Sequence, residues 1–355
     1  MKKIKDFIKD IETLRTLVAL SVSFLIVFIL IIIISDSPTK ALFDFIIGPF
    51  TSIRRFGNVI EGSLPLIFTG LSVILLQRTG HYNLAMEGAF FIGAVVATAA
   101  ALIFKGPPLI ILLVSMLSAM LIGAIITGIP AVLKVKTDAN VLVTSLMLNH
   151  ICLYVGMFII ITYFQDPKMN SNYSYMFPDG VNIPTIFGVT RINYGMIIAL
   201  ITVFIVWFLL NKTSFGYKLT IVGKNQNFAK YSGINVNRLI IESALIGGAI
   251  AGLGGAVDLF GMYNRFQYSG LTNYGWDGIL IAIVARHKPH FVPFAALFLS
   301  YLRTGANILS RTSDIPSEMI SIIQAIVIVL ISAQAILSKY RQKLVVEKTL
   351  SGEVI

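Results

Sequence analysis

Asn83 and Glu87 stand four residues apart in RTGHYNLAMEGAFFIGA, so on a helix they would share one face, with Gly80 close behind. Asn149 and His150 interrupt the apolar run TSLMLNHICLYVG. Asp258 lies near the end of another such run, and Asp277 follows Tyr274 and Trp276 in NYGWDGILIAI. Polar and ionisable groups inside apolar runs have two uses. They line a water-filled path or gate, because a charge placed in a bilayer costs at least ~2.5 kcal/mol unless water or a partner receives it. Alternatively, they hydrogen-bond between helices and hold a bundle together. Asn149 suits either use. Glu87 and Asp277, each beside a Gly, suit a path or gate better. Catalytic patterns do not stand out. The chain has no G-x-x-x-x-G-K-[ST] phosphate loop, so it does not itself bind and hydrolyse ATP in the usual way. It has no zinc-ligand cluster, and His287 and His290, on either side of a Pro turn, read as solvated loop residues. Cys152 is the single cysteine and falls within an apolar run, which leaves no intrachain disulfide.

The elements that must carry these residues are membrane helices. Hydrophobic residues make up 56% of the 355 and charged residues 13%, with a mean hydropathy of +0.83. A soluble domain would carry about a quarter charged residues. The expected fold is an all-α polytopic bundle, one transmembrane domain over 1–355. Ten spans are read: Leu17–Ile34, Ser63–Leu76, Leu84–Phe104, Pro108–Leu133, Val141–Phe164, Tyr194–Leu210, Leu239–Gly261, Trp276–Ala285, Phe291–Leu309 and Ser317–Leu337. The second and eighth fall short of the ~20 residues that cross a bilayer core and are expected as broken or half-length helices. With the N-terminus inside, nineteen of the 28 lysines and arginines fall on the cytoplasmic side, as the positive-inside rule requires for an even number of spans. Both termini are then cytoplasmic, residues 1–16 and 338–355. The net charge of +11 becomes a topology signal and not a nucleic-acid patch. The first apolar run is read as a retained anchor, since Ser35-Asp36-Ser37-Pro38 offers no small-residue pair for signal cleavage. Gly248 and Gly252, in the run Gly247–Ala256, have the small-xxx-small spacing of close helix packing. Residues 165–193 form the long outer segment. It is expected as a structured cap, because Tyr173, Tyr175, Met176 and Phe177 would otherwise be exposed together.

The polar stretch Thr213–Arg238, within a cytoplasmic loop at 212–238, carries Lys218, Lys224, Lys230 and Arg238 and no acidic residue. Asn225 is a plausible N-cap, Gln226–Ser232 has room for about two helical turns, and Gly233 fits a left-handed C-terminal stop. A short helix between two spans needs a partner to pack on.

Four segments then carry a family resemblance covering roughly Gly62 to Gln334. GHYNLAMEGA resembles a G-x-x-N-x-x-x-E-G signature, VTSLMLNHI a T-x-M-L-N span, VGKNQNFAKYSGINVNR a cytoplasmic coupling loop, and NYGWDGILIAIVA with RTGANIL a C-terminal half. Together they resemble the permease subunits of bacterial ATP-binding-cassette importers of the branched-chain amino acid, simple-sugar and nucleoside group, and most of all the nucleoside and simple-sugar permeases. The chain departs from the family pattern at Asn227, Phe228 and Ala229 in the loop, at Asn140, where Glu is frequent, and at Ala85, where Gly is usual.

The resemblance implies a multi-pass protein of the bacterial cell membrane, in contact with lipid, that works by alternating access. Its partners would be a second permease chain, identical or related, cytoplasmic ABC ATPase subunits, and an extracytoplasmic substrate-binding protein. ATP and Mg would act in the partner ATPase, with no cofactor or metal bound by this chain. Gly223, Asn225, Phe228, Ala229, Tyr231 and Gly233 are the implied coupling residues, with Phe228 and Tyr231 as the apolar knob in an ATPase groove. Asn83, Glu87, Asn149, Tyr274, Trp276 and Asp277 are the candidate substrate pathway. Their aromatic faces, amides and carboxylates suit a nucleoside base and ribose, or a simple sugar, better than the charged ends of an amino acid. The alternatives are a branched-chain amino acid ABC permease and an ion- or proton-coupled secondary transporter, for which Glu87 would be the titrating acid.

Overall fold

The computed structural model describes residue 32 and residues 37–169 and 171–312. The expected spans Leu17–Ile34, Ile32 excepted, and Ser317–Leu337 lie outside the described residues, as do the segments 1–16 and 338–355. The described residues divide into two compact units, one holding those up to Val59 and from Phe298, the other Ile60–Leu297. Helix α1 spans Pro38–Ile46, α2 Ile53–Gln77, α3 Met86–Ile103, α4 Pro108–Thr137, α5 Val141–Ile159, α6 Gly195–Lys212, α7 Ser214–Lys224, α8 Gln226–Tyr231, α9 Val236–Met262, α10 Tyr274–Val284 and α11 Val292–Thr312. No strand forms among the described residues. Gln165 with Ser174, and Thr185 with Asn193, make isolated antiparallel bridges.

Seven helical segments among the described residues are long and apolar enough to cross a membrane: α2, α3, α4, α5 with the π turn that extends it to Phe164, α6, α9, and α11 with the 3-10 turn before it. At 1.5 Å per residue the 30-residue α4 is about 45 Å long. Its outer row, Leu109, Leu113, Leu117 and Leu121, repeats every fourth residue and is exposed. Such a row on a membrane span suits lipid. The expected half-length second span is corrected. Helix α2 is continuous for 25 residues and contains Pro65. It begins ten residues before Ser63, because the charged and polar residues Arg54, Arg55 and Asn58 continue the helix into a more exposed turn. The expected eighth span is a short helix, the 11-residue α10.

The core of the larger unit is α9 packed along α4 and α3. Backbone meets backbone there. A Cβ on Gly252 would stand 2.1 Å from the Ala119 carbonyl oxygen, and one on Gly248 would stand 2.2 Å from that of Gly123. The small-xxx-small pair expected from the sequence is therefore the contact surface itself. Thr127 Oγ1 donates to the Ala244 carbonyl at 2.6 Å across the same seam. Around this seam α3 is buried on nearly all sides, including Phe90 and Phe91. In the smaller unit, Ser300 Oγ donates to the Val59 carbonyl at 2.6 Å and the Tyr301 hydroxyl to that of Ile46 at 2.6 Å.

Residues 165–193 do form a folded cap on the C-terminal end of α9. Ile183 N–H donates to the Phe260 carbonyl at 2.9 Å, Phe177 N–H to that of Asn264 at 2.9 Å, and the Phe177 ring packs on Phe260 at 5.0 Å. The reason expected for the cap holds only in part. Phe177 is buried and Tyr173 half-buried, but Tyr175 and Met176 remain exposed.

Candidate functional site

The candidate pathway residues converge on the N-terminal end of α3. That helix starts at Met86, so Asn83 lies in the preceding loop and not on a helical face shared with Glu87 as expected. The reason is local. Asn83 Oδ1 accepts the Ala85 N–H at 3.0 Å, turning the chain just before the helix, while its Nδ2 donates to the Thr127 carbonyl of α4 at 3.0 Å. Asn149, from α5, grips the same turn from the other side. Its Nδ2 donates to the Leu84 carbonyl at 3.0 Å and its Oδ1 accepts the Gly88 N–H at 2.9 Å. Ser145, one helical turn earlier on α5, accepts the Leu84 N–H at 3.0 Å. Asn83, Ser145 and Asn149 are all buried. The amides and the hydroxyl satisfy backbone groups that would otherwise be orphaned in an apolar interior.

Glu87 turns the other way, toward α10. Its Oε1 accepts the Asn273 N–H at 2.6 Å and the Thr272 hydroxyl at 3.3 Å, and its Oε2 accepts the Gly275 N–H. Three donors and 1% exposure leave its carboxylate engaged between helices. Tyr274 packs edge-on against Phe90 at 5.4 Å, Asp277 is buried, and Trp276 is 49% exposed. Five of the six candidates are thus bound into the joint of α3 with α4, α5 and α10, and Trp276 presents an open aromatic face.

The polar stretch folds into two helices. Thr213 caps α7, its Oγ1 accepting the Gly216 N–H at 3.4 Å, and Gly216, Leu219 and Val222 form the buried side. Asn225 caps α8, accepting the Phe228 N–H at 3.0 Å, as expected. The stop is also as expected. Gly233 has φ +76, Ile234 N–H donates to the Ala229 carbonyl at 3.0 Å and Gly233 N–H to that of Lys230 at 3.0 Å, the paired bonds of a Schellman end. Ala229 is buried, whereas Phe228 is 59% and Tyr231 93% exposed. Two large rings thus stand uncovered on a six-residue helix.

The α7–α8 unit is fastened to the turn Arg78–His81 that leads from α2 to α3. A Cβ on Gly223 would stand 2.2 Å from the Arg78 carbonyl oxygen, so α7 approaches that turn as closely as a helix can. Gln226 Nε2 donates to the Thr79 carbonyl at 3.2 Å and lies 3.0 Å from His81 Nε2. Arg78 Nη2 reaches Thr220 Oγ1 at 3.4 Å. Burial pushes the His81 imidazole below its usual range, with Lys134 adding to the effect, and burial lowers Arg78. Asp258 is fully buried and accepts the Tyr268 hydroxyl at 2.5 Å. Burial and this carboxylate hold Tyr268 well above the ordinary phenol range.

The chain matches the family described as branched-chain amino acid transport system / permease component over residues 56–332. It belongs to that permease family. It is similar to a guanosine ABC transporter permease protein of Bacillus subtilis, with 32% identity over 81% of this chain and 83% of the relative. A nucleoside ABC transporter permease protein of Lactococcus lactis is 30% identical over 93% of both chains. A glucose ABC transporter permease protein of Haloferax volcanii is 29% identical over 82% of this chain and 80% of the relative. With the seven apolar segments, this makes the permease a multi-pass membrane protein.

Several parts of the permease site escaped the sequence reading. Helix α7 went unread, although Thr213 before Gly216, Leu219, Val222 and Gly223 has helical spacing and a cap. Gln226 and His81 carry no motif, because their meeting depends on two segments far apart in sequence. Ser145 and Thr272 are ordinary span and loop residues until Leu84 and Glu87 meet them.

Proposed function

We propose that this chain is the membrane-spanning subunit of an ATP-driven importer for nucleosides, with simple sugars as the neighbouring substrate class. The observation that carries the reading is the α7–α8 unit. A capped six-residue helix with Phe228 and Tyr231 in solvent is anchored through Gly223 and Gln226 to the turn that feeds α3. An ATPase subunit that closes on ATP would grip those rings and pull on Arg78–His81. That turn runs into Leu84–Gly88, where Asn83, Asn149 and Glu87 tie together α3, α4, α5 and α10. The relatives named for guanosine, nucleosides and glucose support the substrate class.

In this reading the protein has ten spans and cytoplasmic termini. It pairs with a second permease chain, and a binding protein delivers substrate outside. ATP and Mg act in the partner. Trp276 offers a stacking face to a base, and the amide and carboxylate groups around α3 and α10 shape the path beside it. Glu87, held by three donors, suits a gate or joint better than a carrier that must release a proton at each turnover. Competition of unlabelled adenosine, ribose and leucine against labelled adenosine uptake tests the substrate class. Adenosine and other nucleosides should displace the label, ribose weakly and leucine not at all. Displacement by leucine ahead of adenosine would move the permease to the amino acid branch.

A further inference from the structure

Helix α10 lacks a cap of its own. Every helix leaves its first N–H groups without intrahelical partners. In this chain Asn140, Asn225 and Asn235 meet that need for α5, α8 and α9, each from a φ between −157° and −71° and each accepting an N–H of the first turn. Asn273, at the same position before α10, has φ +63 and makes no side-chain cap bond. At about 16 Å, α10 is also too short to cross a bilayer core, and an N–H left open in apolar surroundings is costly.

We propose that Glu87 is a positioning residue that serves as the N-cap of α10, supplied from α3, and that this cap fixes where α10 holds Trp276. The carboxylate receives the N–H groups of Asn273 and Gly275 together with the Thr272 hydroxyl, and its charge complements the N-terminal end of the helix dipole. Gly275 makes the approach sterically feasible. A Cβ there would lie 2.6 Å from Glu87 Oε2, 2.8 Å from its Cβ and 2.9 Å from its Cα. Glu87 and Gly275 are therefore one device. The acid supplies acceptors and the glycine supplies room, while the left-handed Asn273 aims both N–H groups at the acid. The proposal rests on the transport reading only for its effect on uptake.

The test uses the full-length protein with Trp207→Phe, which leaves Trp276 as the single tryptophan of the two. Emission wavelength and acrylamide quenching of Trp276 are measured for the parent, Glu87→Gln, Glu87→Ala and Gly275→Ala. Gly275→Ala keeps the acid but places a Cβ 2.6 Å from its Oε2, so the acid loses its approach to the start of α10. The expected result is a shifted, more readily quenched Trp276 in Glu87→Ala and in Gly275→Ala, and a smaller shift in Glu87→Gln. Uptake should follow the same order, falling roughly tenfold in Glu87→Ala with the ranking of competing substrates unchanged. An unaltered Trp276 signal in both Glu87 variants overturns the proposal, as does a parent-like signal in Gly275→Ala. If Glu87→Ala does not accumulate, Glu87→Gln and Glu87→Asp give the same comparison. The fluorescence result stands whether or not nucleosides are the substrate, so failure of the cap and failure of the transport reading are distinguished.

Discussion

Gly233→Val should uncouple transport while leaving the permease inserted. Gly233 ends α8 with φ +76, and a Cβ placed there meets nothing within 4 Å. A larger side chain therefore creates no clash with the rest of the protein, and any effect arises from the backbone. Holding an L-residue in the left-handed region costs about 1–2 kcal/mol, and more for a β-branched one. At ~1.4 kcal/mol per tenfold, the Schellman stop of α8 would be populated about 5- to 30-fold less relative to frayed forms. The bonds at risk are Ile234 N–H to Ala229 and Gly233 N–H to Lys230, which close the helix that exposes Phe228 and Tyr231. Asn enters the left-handed region readily, so Gly233→Asn should retain most of the function and Gly233→Ala should fall between Asn and Val. The assay is ATP-dependent uptake in membrane vesicles, normalised to permease present, with co-purification of the ATPase measured in parallel. Wild-type uptake by Gly233→Val, or equal loss in the Asn and Val variants, would refute the reasoning.

Phe228→Ala combined with Tyr231→Ala should weaken ATPase association tenfold or more, roughly the loss of one hot-spot residue. Thermal stability of the solubilised permease should hold, since both rings are exposed. Gly252→Leu should prevent accumulation of folded protein, because its Cβ alone would stand 2.1 Å from the Ala119 carbonyl oxygen and force α9 from α4; normal expression and melting would contradict that packing. Asn149→Leu leaves the Gly88 N–H and the Leu84 carbonyl without their side-chain partner, a loss of about 2–4 kcal/mol read as a lower melting temperature.

What the sequence made legible was local. The cap at Asn225, the stop at Gly233 and the close-packing pair Gly248 and Gly252 each depend on a few neighbouring residues, and each is present in the structure. The apolar runs located α3 to α6, α9 and α11 within a few residues, since hydropathy and helix length report the same need to cross a bilayer. The start of α2 was misplaced because Arg54 and Arg55 lower the hydropathy of a segment that is still helical. The role of Glu87 was not legible, because its partners Thr272, Asn273 and Gly275 stand nearly two hundred residues away. Asn83 was placed on a helix by spacing alone, whereas its side chain turns the chain just before that helix begins. Buried polar residues announce themselves in an apolar chain, but whether they face a path or a backbone is decided by tertiary contacts.

The central claim is that ATP, acting in a partner held at α7–α8, drives import. The most direct measurement is uptake of labelled adenosine into vesicles carrying the complete transporter, with ATP supplied and the proton gradient collapsed. The account predicts uptake that continues without the gradient and stops when ATP is withdrawn. Uptake that ceases when the gradient is collapsed, despite ample ATP, would contradict it and point to ion-coupled transport through the same helices.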